Sequence, residues 1–571
     1  MKNYYGIDIE KKRRELLVSD IAKPIIAEII KKADEAIKQD GYPALKFSEY
    51  MLFLKTGNIR TYHVQYFKRR NTLSYISIAY WLTCDEKYKA HLEDLIFNIC
   101  DEFSWCLPEH SLIWGTPSAE QIMHETDLFQ AETARLLTDV YAIVGDKLHY
   151  LVRDRIEYEI RRRVIDSFKY KEFHWLKPTC KTNWASVCAG GTLTALLAFG
   201  TEEEIQAILP SLYAAIEHFL EGIGEDGCCM EGYSYWNYGF GYFVIFARFI
   251  LEYTSGAKNY FELEKVKNIA TFCQKARLGK TRVAPFSDSV QDFLFSIGLF
   301  SYLKSLYPSE IKLPSPELGT LVGNVYSVKE LLWLDTNYKE DDCNVGTFYF
   351  ENAEWFIGRF KKYSFAAKAG HNNEPHNHND IGSFSIVAAD DSIPLVDLGA
   401  APYNGFTFHP DHRYKMLQNA SFGHSVPIIN GKYQINGAEY KAKNACLAEN
   451  TFSFDMEGAY EKGLIKRLNR RFELYEEKIV LRDTFEFSPL TKSVTERFIS
   501  HTKPEITDDI VTLGSARLCF DSKKYSVLVS TDVFTSHSKS PDEDSKIDVY
   551  LIDFVPMHKN EEIFEVEIVI K

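Results

Sequence analysis

The chain reads as an α+β multidomain protein in which a helical half comes first and an antiparallel β-sandwich second. Three observations carry this. Apolar residues in roughly the first 320 positions recur at helical spacing. The closely spaced prolines of Lys312-Leu-Pro-Ser-Pro316 then break that pattern. Beyond them come short runs rich in β-branched and aromatic residues, with turns between.

In chain order, Ile25, Ile26, Ile29, Ile30, Ala33 and Ile37 mark an amphipathic helix, and Asp127-Leu-Phe-Gln-Ala-Glu-Thr-Ala-Arg-Leu-Leu marks another. Helices are predicted over 147–167, 184–199, 203–222, 239–255, 262–274 and 289–306, with breaks such as Gly145-Asp146 and Gly200-Thr-Glu-Glu. Consecutive helices of similar length with short connections and no strict repeat give stacked pairs, in a solenoid or a closed α/α toroid. Strands are predicted at Thr347-Phe-Tyr-Phe, Ser383-Phe-Ser-Ile-Val, Pro394-Leu-Val-Asp-Leu, Arg471-Phe-Glu-Leu-Tyr, Lys478-Ile-Val-Leu-Arg and Val549-Tyr-Leu-Ile. A final strand is predicted at Phe564-Glu-Val-Glu-Ile-Val-Ile, where Phe564, Val566, Ile568 and Ile570 share one face. The predicted domains are 1–320 and 321–571.

Composition narrows the function classes. Of 571 residues, 45% are hydrophobic, 26% charged and 14% aromatic, an ordinary balance for a globular chain with large cores. A formal net charge of −14 argues against nucleic acid as a partner, and any polyanion would have to bind at a local positive patch. No apolar run reaches membrane-spanning length, so no membrane partner is expected. The start, Met1-Lys-Asn-Tyr-Tyr, has no signal-peptide pattern, so a cytoplasmic location is expected, or a periplasmic or secreted one if a leader has been removed. The 11 cysteines are odd in number and scattered, which fits a reducing compartment better than a disulfide framework.

The densest polar cluster is Gly370-His-Asn-Asn-Glu-Pro-His-Asn-His-Asn-Asp380, in which His376 and His378 share a face of an extended chain. Two such imidazoles can share a metal or divide catalytic and metal duties. Asp397 and His424 follow on later segments and could join His378 in a His/Asp/His zinc site; read alone, Asp397 serves equally as a turn cap. In the helical half Asn183 opens a helix, where an N-cap is the plain reading. Glu231-Gly-Tyr-Ser-Tyr-Trp-Asn-Tyr-Gly239 gathers Glu231, Tyr235, Trp236 and Tyr238 after a glycine turn, either as a core stripe or as a polar-walled aromatic site.

Taken together, the Asn183-Trp184 block, the Glu-Gly-x-x-Tyr-Trp-x-Tyr-Gly block at 231–239 and the His-x-His-x-Asp-x-Gly-Ser-Phe block at 376–384 resemble the heparinase II/III-like polysaccharide lyases, with the related alginate-oligosaccharide lyases and dermatan-sulfate epimerases. Trp105-Cys-Leu-Pro-Glu-His and the Asp127 run add weaker support. The resemblance implies an N-terminal α/α toroid (an incomplete barrel of helix pairs) and a C-terminal antiparallel β-sandwich. It implies that Tyr235 and His376 are catalytic and that Asn183 holds a uronate carboxylate, with Tyr238 as the alternative tyrosine. Glu231, Trp236, Tyr238, His174 and Arg413 are the candidate substrate contacts. His378, Asp397 and His424 match a structural zinc position, and no redox or nucleotide cofactor is implied.

The chemistry so implied is β-elimination from an acidic oligosaccharide or polysaccharide. The proton at C5 of a uronate is weakly acidic, donors to its carboxylate stabilise the enolate-like intermediate, and an acid protonates the leaving O4. The rival expectations are a metal-dependent hydrolase, a glycoside hydrolase using carboxylates such as Glu231 and Asp127, and a carbohydrate-binding protein without catalysis; an epimerase differs only in reprotonating C5. A homo-oligomer is compatible with all of them.

Overall fold

A computed structural model of the chain describes residues 5–38, 42–112, 115–320, 328–341, 346–536, 546–558 and 561–571. Two compact units interleave along the sequence. The helical unit comprises Met1–Ile223, Trp236–Ala270 and Leu294–Cys343; the sheet unit comprises Gly224–Tyr235, Thr271–Phe293 and Asn344–Lys571. The expected boundary after residue 320 opens on 321–327, outside the described residues.

The helical unit contains α1 (Ala22–Ile37), α2 (Arg60–Thr83), α3 (Lys89–Cys100), α4 (Leu128–Val144), α5 (Tyr150–Ile160), α6 (Asn183–Phe199), α7 (Glu202–Glu221), α8 (Gly241–Tyr253) and α9 (Ile297–Leu306). On α1 the predicted stripe buries Ile26, Ile29 and Ala33. Helices pack as pairs, α2 with α3 and α6 with α7, and neighbouring pairs meet through α2, α4 and α6. This is the incomplete α/α toroid expected. The central helix α6 is apolar on every side because α4, α7 and α8 all pack on it. Its Gly190-Gly191 pair permits that crowding: a Cβ at 190 would lie 2.8 Å from the Tyr242 carbonyl oxygen, and one at 191 would lie 2.6 Å from that of Ala131. Two side chains set helix starts. Asp127 accepts from the Gln130 amide at the head of α4, and Thr201 with Glu204 forms a capping box on α7.

Two local expectations are corrected. The helix predicted over 289–306 begins only at Ile297. Ser287 adopts φ 60°, and Asp292 bridges Arg282, so 288–294 runs as an irregular segment, and Phe295–Ser296 then pairs in parallel with Gly319–Thr320. The Pro394–Leu398 run is no strand: only Leu395 bridges Ile386, since Pro394 has no amide to give a ladder.

The sheet unit is antiparallel throughout its three main sheets. The first joins β1 (Phe348–Phe350), β2 (Trp355–Arg359), β3 (Tyr363–Lys368) and β4 (Phe384–Ala388) in that order. The two other main sheets are built from β5 (Pro427–Ile429), β6 (Lys443–Ala448), β7 (Thr451–Asp455), β8 (Arg467–Leu474), β9 (Lys478–Glu486), β10 (Val494–Ser500), β11 (Glu505–Thr507), β12 (Ile510–Leu513), β13 (Ala516–Cys519), β14 (Tyr525–Thr535), β15 (Lys546–Pro556) and β16 (Ile563–Ile570). Eight of them form a sheet ordered β6-β7-β8-β9-β16-β13-β12-β11, and four form one ordered β14-β15-β10-β5. The register aligns Phe472 with Leu481 and Leu481 with Val566, and the whole predicted face of β16 is buried. Phe365, Phe384, Phe472, Phe498 and Phe564 share the core cluster beneath it.

Candidate functional site

The histidine-rich loop leaves β3 and returns into β4, so two paired strands fix both of its ends. Its base is a buried charge cluster. Lys368 Nζ lies 2.8 Å from Glu374 Oε2 and 2.9 Å from Asp380 Oδ1, with all three side chains at most 1% exposed. His376 takes φ 57°, a left-handed conformation that costs a non-glycine residue about 1–3 kcal/mol and that tends to occur at functional positions.

The His376 imidazole stacks on Tyr235, with ring centroids 4.1 Å apart and planes at 28°. Its Nδ1 lies 2.8 Å from Asp288 Oδ2 and its Nε2 3.3 Å from Glu231 Oε2. Asp288 also meets His378 Nε2 at 3.0 Å and accepts from Arg413 Nη2 at 3.2 Å. Burial disfavours its charge, yet these two histidines and the guanidinium hold its carboxyl well below the usual range. The Tyr235 hydroxyl lies 2.7 Å from that of Tyr403. Burial, then the Asp288 charge, keeps the Tyr235 phenol well above its ordinary pKa of 10.0. Glycine is required at 232, where φ is 92° and a Cβ would sit 2.5 Å from Ser289 Cβ. That close approach sets Tyr235 beside the segment carrying Asp288. Arg413 also donates to the carbonyls of Asn377 and Thr407, so it braces the loop.

The other expected residues lie in the helical unit. Asn183 is the first residue of α6, one past the cap position, which Thr182 holds; the expected N-cap is thus displaced by one residue. His174 meets Trp184 edge-on at 4.5 Å. Tyr238 meets Tyr242 edge-on at 5.7 Å, and burial and Glu132 raise its pKa. Trp236 is 1% exposed and donates its indole N–H to the Ile269 carbonyl at 2.7 Å, so it packs in a core instead of lining a site. A π turn over Trp236–Phe240 separates Tyr235 from α8.

No family model and no curated protein sequence matches this chain. Solved structures do. A heparan sulfate lyase, HepC from Pedobacter heparinus, superposes with TM-score 0.59 at 13% identity, over 98% of this chain and 87% of that one. A heparinase III matches with TM-score 0.62 at 14% identity, over 95% and 83%. The chondroitin AC lyase of Streptomyces coelicolor A3, solved with chondroitin sulphate, matches with TM-score 0.56 at 9% identity, over 98% and 82%.

The chain has the heparinase III fold.

Within this heparinase III fold, His378, Asp380 and His424 form a group among the described residues that could hold a metal, each buried, with one ligand atom apiece within 4.8 Å of the others. The expected set named Asp397 in place of Asp380. In the structure Asp397 Oδ2 meets His424 Nδ1 at 2.9 Å and accepts from Ser383 Oγ at 2.6 Å, while its Oδ1 accepts from the Gly399 amide at 3.2 Å. The donor chemistry fits zinc. His378 Nδ1 and Asp380 Oδ2 are buried with no hydrogen-bond partner among the described residues, and a carboxylate on the far nitrogen of a histidine is how such ligands are commonly oriented. His424 Nε2 faces the Gln418 carbonyl at 2.9 Å, a contact that binding through that nitrogen would displace.

Sequence reasoning missed Asp288, Tyr403 and His110. Asp288 lies in an unremarkable Phe-Ser-Asp-Ser run and Tyr403 in Ala-Pro-Tyr-Asn, neither with a spacing signal. His110 stood within the weakly supporting Trp105 block.

Proposed function

We propose that this chain is a polysaccharide lyase of the heparinase II/III kind, cleaving a uronate-containing glycan by β-elimination to leave a 4,5-unsaturated uronate end. The observation that carries the reading is the Tyr235–His376 stack with Asp288 on the imidazole Nδ1.

Asp288 keeps a proton on Nδ1 and so turns the Nε2 lone pair toward a substrate. That nitrogen takes the C5 proton of the uronate. Tyr235, kept as a phenol by its raised pKa, donates its proton to O4 as the C4–O4 bond breaks and the C4–C5 double bond forms. Water returns the proton from imidazolium to phenolate. The Tyr403 hydroxyl orients the phenol. Asn183 is assigned to hold the uronate carboxylate, as its place in the Asn-Trp block implies. Zinc, where bound by His378, Asp380 and His424, would supply a structural cross-link. Lys368 and Arg413 brace the same loop from the protein's own side chains.

The test is a product screen on heparan, chondroitin, hyaluronan, alginate and glucuronan oligomers. Absorbance of the conjugated alkene is expected with at least one of them. Cleavage that consumes water and leaves only saturated ends would falsify the elimination and favour a hydrolase. Binding without turnover across the panel would favour a carbohydrate-binding protein.

A further inference from the structure

In the helical unit, two imidazoles meet the ring of Trp184 edge-on, His110 at 4.7 Å and His174 at 4.5 Å. His110 is stacked on Phe129 at 10°, and its Nδ1 is engaged by Asp127 Oδ2 at 2.7 Å. Asp127 is fully buried and also accepts from the amides of Gln130 and Leu107, so it cannot swing away. His110 Nε2 and the Trp184 indole N–H, by contrast, have no hydrogen-bond partner among the described residues, and both side chains are partly open to solvent, that of His110 by 18%. Helix α6 starts beside them without a side-chain cap, because the Thr182 hydroxyl faces Cys180 Sγ at 3.8 Å.

We infer that this set is an anion-binding subsite: the unengaged His110 Nε2 and Trp184 indole N–H receive a carboxylate or sulfate of an acidic sugar that lies against the Trp184 ring. The inference rests on the proposed function for the ligand being a sugar. The charges agree with it. Burial opposes a charge on His110, but Asp127, Glu109 and Glu125 outweigh it and raise its pKa. His174 is lowered to about 4, by burial first and then by His110 and Lys171, so it is a neutral ring at neutral pH. His110 is protonated below its raised pKa; anion affinity is therefore full at low pH and falls as pH rises through that value.

The test is calorimetric titration in a Tyr235→Phe background, which prevents turnover, with three tetrasaccharides: hyaluronan-derived (carboxylate only), heparin-derived (carboxylate and sulfate) and cellotetraose (neutral). Adding His110→Gln is expected to weaken an acidic ligand about tenfold at about pH 6 and to flatten its decline toward about pH 8. Cellotetraose should be unaffected. Trp184→Phe, which keeps a ring but loses the N–H, should weaken the same ligands and guards against a misfolded His110 variant. His110 dependence with the hyaluronan tetrasaccharide assigns the subsite to carboxylate; dependence with the heparin one alone assigns it to sulfate. Unchanged affinity and unchanged pH slope in both variants would overturn the subsite, even if unsaturated product forms. His110-dependent binding in a chain that makes no such product would instead keep the subsite and reject the lyase.

Discussion

Asp288 accepts from two imidazoles and one guanidinium, and that arrangement decides what its removal does. An asparagine there offers one carbonyl and one NH2, so it can no longer hold the His376 proton on Nδ1 against the demands of His378 and Arg413. Asp288→Asn is therefore expected to lower kcat on the order of 10^3-fold, with far-ultraviolet circular dichroism unchanged, by analogy with the tautomer loss in a catalytic triad. Tyr235→Phe removes the proposed acid itself and should abolish detectable product while the chain stays folded; full activity in that variant would move the role to Tyr238. The direction of the Tyr235 shift adds a pH prediction. A phenol whose pKa is raised stays protonated up to a higher pH, so the donor is present at neutral pH and is lost only above its ordinary 10.0. A kcat profile with an alkaline fall centred well below that value, and absent from a stable variant at another group, would exclude Tyr235 as the acid. At this scale the sequence was half legible. Tyr235, His376 and His378 stand in recognisable spacings, whereas Asp288 and Tyr403 reach them only through folding, from positions 88 and 168 residues away in the chain.

The loop between β3 and β4 shows how an element carries such residues. Its ends are paired strands, and its base is Lys368 between two buried carboxylates. Burial pushes Glu374 up to about 7 despite the nearby ammonium, a sign of how poorly solvated the cluster is. Lys368→Met fills the space but leaves Glu374 and Asp380 facing each other without a cation. Loss of one partner from a buried cluster costs about 3–5 kcal/mol, and a urea denaturation midpoint should report it. Strands were legible wherever one face alternates, as in β16, because burial of that face selects the pattern directly. The 289–306 segment was not, since an apolar run at helical spacing also suits a segment that bridges Arg282 and then turns into α9. Neither was Asn183, for a cap and a first helical residue differ by a single position.

For the whole molecule, the order of helices before sheets was readable because the period of apolar residues changes once along the chain. The interleaving was not, because membership of a compact unit depends on long-range packing that leaves no local trace. The sheet unit takes back Gly224–Tyr235 and Thr271–Phe293 from within the helical stretch. This bears on any attempt to dissect the gene. A fragment cut at the proline-rich junction and expressed as the C-terminal part alone would carry His376, His378 and Arg413 but would lack Glu231, Tyr235 and Asp288. It would leave the Arg413 guanidinium and both imidazoles without their shared carboxylate, and should be recovered as aggregate or as a loosely packed species by size-exclusion chromatography. Supplying the missing half in trans offers the corresponding rescue: two separately inactive polypeptides would regain activity on mixing only if the borrowed segments dock.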